Sequence, residues 1–176
     1  MREERLTENI IDQIMEAQIK LGFVRESIRL YFPWESLETL VGEERTDGLL
    51  EKLNGSPTFE GGKLGQVQFR ESRGRVEVTI PPEGAEYVHR EIPASPFLKA
   101  LIGLFGTHHS LTIEEICQCF GQFGEYVCRK IADNDFDYVV YFKNPAVDAY
   151  YYCIKMEMGH TIYHRFIKED YEKLME

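Results

Sequence analysis

The sequence predicts an α+β fold: N-terminal helices, a β-hairpin, and a helical pair followed by an antiparallel sheet. Three observations predict it. Apolar residues recur at helical spacing as far as Asn54. They switch to strict alternation at Arg75 to Ile80, and alternation returns in an aromatic run after Phe136. The chain has 176 residues and is 43% apolar. Folding at this size buries roughly 70% of the surface, so no metal or disulfide staple is required.

In the first part, Thr7 is expected to cap a helix running to Leu21, with Ile10, Ile14, Ala17 and Leu21 on one stripe and Gly22 as its stop. A short apolar segment, Ser27 to Phe32, ends at Pro33. Proline suits the first turn of a helix, here Pro33 to Val41, which Gly42 closes. Asp47 is expected to cap a third helix through Leu49, Leu50 and Leu53, ended by Asn54-Gly55. The glycine-rich stretch Ser56 to Gly65 is expected to be a loop and a lobe boundary. Residues 1–55 then form a helical lobe, 63–92 a hairpin segment, and 95–176 an α+β lobe, all within one compact domain.

The hairpin pairs Leu64 to Arg70 with Arg75 to Ile80 around Glu71-Ser72-Arg73-Gly74. Pro81-Pro82 stops it, and Glu83 to Ile92 fits either a helical turn or an extended segment. Ser95-Pro96 starts a helix to Phe105. Thr112 and Glu115 form a capping box for the next, which Gly121 ends. A further helix is expected from Gly124 to Ala132. Strands follow at 136–143, 149–158 and 161–167, then a charged helix from Lys168 to Leu174.

The charge balance excludes function classes. There are 20 Lys and Arg against 30 Asp and Glu, a net charge of −10. Such a surface repels nucleic acid and anionic lipid at long range. The charged N-terminus, MREERLTENIIDQIM, lacks the apolar core of a signal peptide, and no apolar run approaches a membrane span. Cys117, Cys119, Cys128 and Cys153 are expected to be free thiols in a reducing compartment, so the expected location is cytoplasmic.

The segment Leu111 to Ile131, LTIEEICQCFGQFGEYVCRKI, resembles a helix-turn-helix, and with the hairpin after it a winged helix. Cys117, Gly121 and Val127 occupy the positions of the small residue, the turn glycine and the β-branched packing residue. Gln122 stands where an apolar residue is usual. The second helix would expose Phe123, Glu125, Tyr126, Cys128 and Arg129, a poor set of base readers. A DNA-binding regulator would rely on Arg129, Lys130 and Lys143. The acidic balance argues against it, and the helical pair is better taken as scaffold or protein contact.

The aromatic hairpin holds one apolar face and a second that is half apolar, through Tyr141, Tyr151 and Tyr163. That second face is either covered or a protein-binding surface. Arg70, Arg73 and Arg75 cluster at the tip of the middle hairpin, a local basic spot suited to an anion or an acidic partner.

Catalytic and metal motifs are not read. His160 and His164 on a strand stand about 13 Å apart, too far for one ion. His108 and His109 fall in a loop. Cys117 and Cys119 point to different sides of a helix and cannot chelate together. Gly61-Gly62-Lys63 and Gly65 lack the strand-loop-helix context of a phosphate loop, so no cofactor is expected. A small hydrolase pairing Cys153 with His164 across neighbouring strands is the third alternative.

YFPWESLETLVG (Tyr31 to Gly42), FDYVVYF (Phe136 to Phe142) and HTIYHRFIKEDYEKL (His160 to Leu174) together resemble an uncharacterised bacterial domain-of-unknown-function family. The resemblance implies a bacterial cytoplasmic protein and carries no activity, cofactor or catalytic residue. The expected function is therefore a non-enzymatic protein-interaction or adaptor module, of unspecified partner and oligomeric state.

Overall fold

Each of two units, Met1–Ala94 and Ser95–Glu176, is built around its own antiparallel sheet. The computed structural model describes residues 1–108, 110–133 and 135–176. His109, expected in a loop beside His108, lies outside the described residues.

The first unit runs α1 (Glu3–Leu21), β1 (Ile28–Phe32), α2 (Trp34–Val41), α3 (Leu49–Asn54), α4 (Pro57–Gly61), β2 (Gln68–Ser72), β3 (Arg75–Ile80) and α5 (Pro82–Glu91). β3 lies between β1 and β2 and is antiparallel to both. One face of this sheet carries Phe32, Phe69, Val76, Val78 and Ile80, all buried. Helices α2 and α5 pack against β3, and α1 packs on both helices, burying Leu6, Ile10 and Ile14. Each such side chain contributes about 1.5–3 kcal/mol of burial free energy. Asn54 clips the outer edge of β2: its Nδ2 donates to the Phe69 carbonyl at 2.9 Å, and its Oδ1 accepts from the Phe69 N–H at 2.8 Å.

Several local expectations change here. α1 begins at Glu3, not at Thr7. The Arg2 N–H donates to the Val41 carbonyl at 2.7 Å and ties down an extra helical turn, while Thr7 Oγ1 donates back to the Glu3 carbonyl. Gly48, not Asp47, precedes α3. Ser27 to Phe32 contains a strand, because Ile28, Leu30 and Phe32 alternate with Arg29 and Tyr31 and pair with β3. The expected loop at Ser56 to Gly65 contains α4: Ser56 Oγ accepts from the Thr58 N–H, Pro57 opens the helix, and Phe59 is buried. It lies inside the first unit, with strand pairing between segments before and after it. Pro82–Glu91 is helical, and Gly84 explains its placement. A Cβ there would collide with Ile80 and the Leu64 carbonyl.

The second unit runs α6 (Pro96–Thr107), α7 (Ile113–Gly121), β4 (Tyr126–Lys130), β5 (Tyr138–Phe142), β6 (Tyr151–Glu157), β7 (His160–Phe166) and α8 (Lys168–Leu174). The strands form a meander in chain order, antiparallel throughout. Ser95 caps α6, and Thr112 caps α7 by accepting from the Glu115 N–H at 3.2 Å. α6 and α7 cover one sheet face. Phe97 is at its centre, with ring centroids 4.7 Å from Phe120, 4.8 Å from Phe142 and 5.7 Å from Tyr152.

The helix-turn-helix expectation fails in this unit. Gly124 to Ala132 is not helical. β4 occupies it, pairing Val127 with Tyr141 and Cys128 with Val140. Gly121 and Gly124, three residues apart, weaken helix propagation, and Tyr126-Val127-Cys128 gains more from pairing with β5 than from a marginal isolated helix. The winged-helix-like arrangement therefore gives way to one helical pair on a four-stranded sheet.

Candidate functional site

Period-two geometry sorts the first sheet into two unlike faces. Opposite the buried face stand Arg29 and Tyr31 from β1, Glu77 and Thr79 from β3, and Gln68 and Arg70 from β2, with Arg75 near the hairpin end. Arg29, Tyr31, Gln68, Arg70 and Arg75 are exposed, Tyr31 by 48%. No element of the first unit covers them.

Tyr31, Glu77 and Arg70 form one row across the three strands. Glu77 is only 3% exposed. Arg70 Nε donates to its Oε1 at 2.8 Å, and Tyr31 stands on its other side in the row. The Arg70 hydrogen bond is the chief reason the Glu77 carboxyl is held below its ordinary value, against the opposing effect of burial. Glu77 in turn raises Arg70 further above its usual range. Among the described strand residues, Glu77 is the sole acid on this face. Glu71, on β2, belongs to the opposite face by alternation and pairs with Arg45 at 2.8 Å.

Arg73 and Gly74 turn β2 into β3 with φ of 52° and 77°. These are the left-handed values that a tight two-residue hairpin requires. The exposed Arg73 thus extends the basic tip formed by Arg70 and Arg75. The structure brings the three expected arginines together and adds Arg29 and Tyr31, which the sequence reading did not include. The signal was present in IRLYF, whose apolar residues alternate with Arg29 and Tyr31.

The three tyrosines expected to share a face do not. Tyr141 and Tyr151 stack at 4.1 Å with ring planes 9° apart, and Tyr171 of α8 closes on Tyr151 at 4.9 Å. Burial raises the hydroxyl pKa of Tyr151 and of Tyr171. Tyr163 lies on the opposite face. It is in register with Ile154 and touches Phe105 at 5.0 Å and Tyr152 at 5.7 Å. The centre of the Tyr141 and Tyr151 face is therefore occupied by the protein's own α8.

The residues of the DNA-binding alternative are also dispersed. Arg129 and Lys130 are adjacent in β4 and so face opposite ways. Arg129 lies over the Tyr141 ring at 5.8 Å and donates to the Tyr171 hydroxyl at 3.5 Å. Lys143 stands 3.7 Å from Glu125. Among the described residues, β4 stands where the second helix was expected, so no recognition helix presents these side chains to a groove. Cys153 and His164 are paired across β6 and β7, as the hydrolase alternative requires. Yet Cys153 is fully buried in a cluster with Val139 and Tyr171, and burial pushes its thiol up to about 12. That is the environment of a structural cysteine, not a nucleophile. His160 and His164 lie on one strand, β7.

Fold and site together define an α+β protein of two antiparallel sheets, one of which leaves an arginine-bearing face open. Among the described residues no helix is long and apolar enough to cross a membrane. The chain matches the family described as "Domain of unknown function, E. rectale Gene description (DUF3877)" over residues 3–175, and it belongs to that family. The match runs through both units, as the three sequence motifs imply. No curated protein and no solved structure matches it.

Proposed function

We propose that the protein is a non-enzymatic interaction module that docks an acidic protein segment on the open face of the β1-β3-β2 sheet. The observation that carries this reading is the local charge: Arg29, Arg70, Arg73 and Arg75 in the exposed layer, above one buried carboxylate. Glu77 holds Arg70 in place and Tyr31 offers a flat amphipathic ring beside it. Arginine's planar fork suits bidentate contact with carboxylates. The partner is a short acidic segment, not a nucleic acid. Screening confines attraction to about 8 Å at physiological salt, so a segment feels the patch, whereas a long polyanion also meets the acidic surface beyond it.

A labelled Glu-rich peptide tests this by fluorescence anisotropy. Binding is expected at low salt and weakens steeply as salt rises. The Arg29→Glu/Arg75→Glu double variant is expected to lose it while keeping the wild-type circular dichroism spectrum. Equal binding by wild type and variant would remove the proposal.

A further inference from the structure

Cys117 of α7 and Cys128 of β4 meet at the junction of those two elements. Both line one surface pocket of about 370 Å³, together with Ile113, Glu114, Tyr126 and Tyr138. Cys128 helps push the Cys117 thiol up, and the Tyr126 hydroxyl opposes that effect. Both cysteines are half-buried at the pocket, whereas Cys119 and Cys153 are buried. Docking on the first sheet makes no use of this pair.

We propose that Cys117 and Cys128 form a reversible dithiol–disulfide site, oxidised by a low-molecular-weight disulfide that enters this pocket. Two cysteines that line one pocket from neighbouring elements must close to the roughly 2 Å of an S–S bond, a movement of side chains within that pocket. Cys128, as thiolate, attacks one sulfur of the small disulfide. A Cys128–S bond forms, the original S–S bond breaks, and the first small thiolate leaves and takes up the proton that Cys128 lost. Cys117 then gives up its proton and attacks Cys128 Sγ. The internal disulfide forms and the second small thiolate departs, protonated by the proton from Cys117. Two protein thiols are oxidised by two electrons, and one small disulfide is reduced to two thiols.

The order of attack follows from the surroundings. Burial, then Cys128, push the Cys117 thiol up to about 12. Cys117 therefore keeps its proton at neutral pH and is the second thiol to react. Once Cys128 is a mixed disulfide it no longer carries an ionisable thiol, and its part in holding the proton on Cys117 ends. Tyr126 favours that ionisation, while Glu114 opposes it.

The test is exposure of the full chain to oxidised glutathione, followed by thiol counting after denaturation and by mass spectrometry. The wild type is expected to lose two of its four free thiols. It should gain no glutathione mass and recover both thiols with dithiothreitol. Cys117→Ser should hold one glutathione on Cys128, and Cys128→Ser should stay unmodified at Cys117. Fragment spectra of the wild type locate the linkage even where a variant fails to fold. Four surviving thiols, a glutathione that persists on the wild type, or an internal disulfide formed without Cys117 would each overturn the proposal.

Discussion

The two sheets use their second faces differently. In the first unit, helices cover one face of β1-β3-β2, and the other presents arginines and a tyrosine to solvent. In the second, α6 and α7 cover one face of β4-β5-β6-β7, and α8 returns over the centre of the other. The tyrosines that looked like a docking surface thereby become the bed for the chain's own last helix, burying Tyr171 to 5% exposure. An aromatic-rich face is a good binding surface only when nothing in the same chain already binds it. The arginine face, unattractive to an apolar helix, stays open.

Truncating the covered side should cost most. Phe97→Ala removes the ring shared by Phe120, Phe142 and Tyr152. It is expected to lower unfolding free energy by about 3–5 kcal/mol in urea titration, the range for buried aromatic truncations. A loss as small as that of a surface change would mean the cluster is not packed as described. Tyr171→Ala should cost somewhat less, about 3 kcal/mol. It should also let an alkylating reagent reach Cys153 in the native protein, which the wild type should resist. An equally inert Cys153 in that variant would show that α8 is not what shields it.

On the open side the effects are smaller and depend on pH. Glu77 has its carboxyl held below the ordinary value of 4.5, chiefly by Arg70. Its stabilising contribution is therefore complete above that ordinary value and is lost as pH falls through the lowered one. Glu77→Gln should melt lower than wild type at neutral pH, and the gap should shrink as the solution is acidified below 4.5. A constant gap across that window would assign the loss to something other than the Arg70 pair. Arg29→Ala and Arg75→Ala should move stability by no more than about 0.5 kcal/mol, as exposed substitutions do. Larger losses in urea titration would place these side chains in packing, not in a solvent-facing layer.

Much of this contrast was legible in the residues. The α6 and α7 caps at Ser95 and Thr112, the hairpin at Arg73-Gly74 and the β6 and β7 strands follow from short-range rules that tertiary contacts leave intact. Long-range pairing escaped them. IRLYF became a strand because β3, over forty residues away, offered it a partner. YVCRK became a strand because β5 did, although the spacing of Cys117, Gly121 and Val127 fits a helical pair. Alternation told which tyrosines of one strand share a face. It could not relate Tyr163 to Tyr141 without the β6–β7 register, which fixes them on opposite sides. For the same reason Cys117 and Cys128 looked unrelated until α7 and β4 were seen to touch.

Amide chemical-shift mapping during titration with a Glu-rich peptide at low salt tests the central contrast most directly. Shifts are expected along β1, β2 and β3, strongest near Arg29, Tyr31, Arg70 and Arg75, with Tyr141 and Tyr151 unmoved. Shifts centred on Tyr141 and Tyr151, or none in either sheet, would contradict the assignment of the open arginine face as the binding surface.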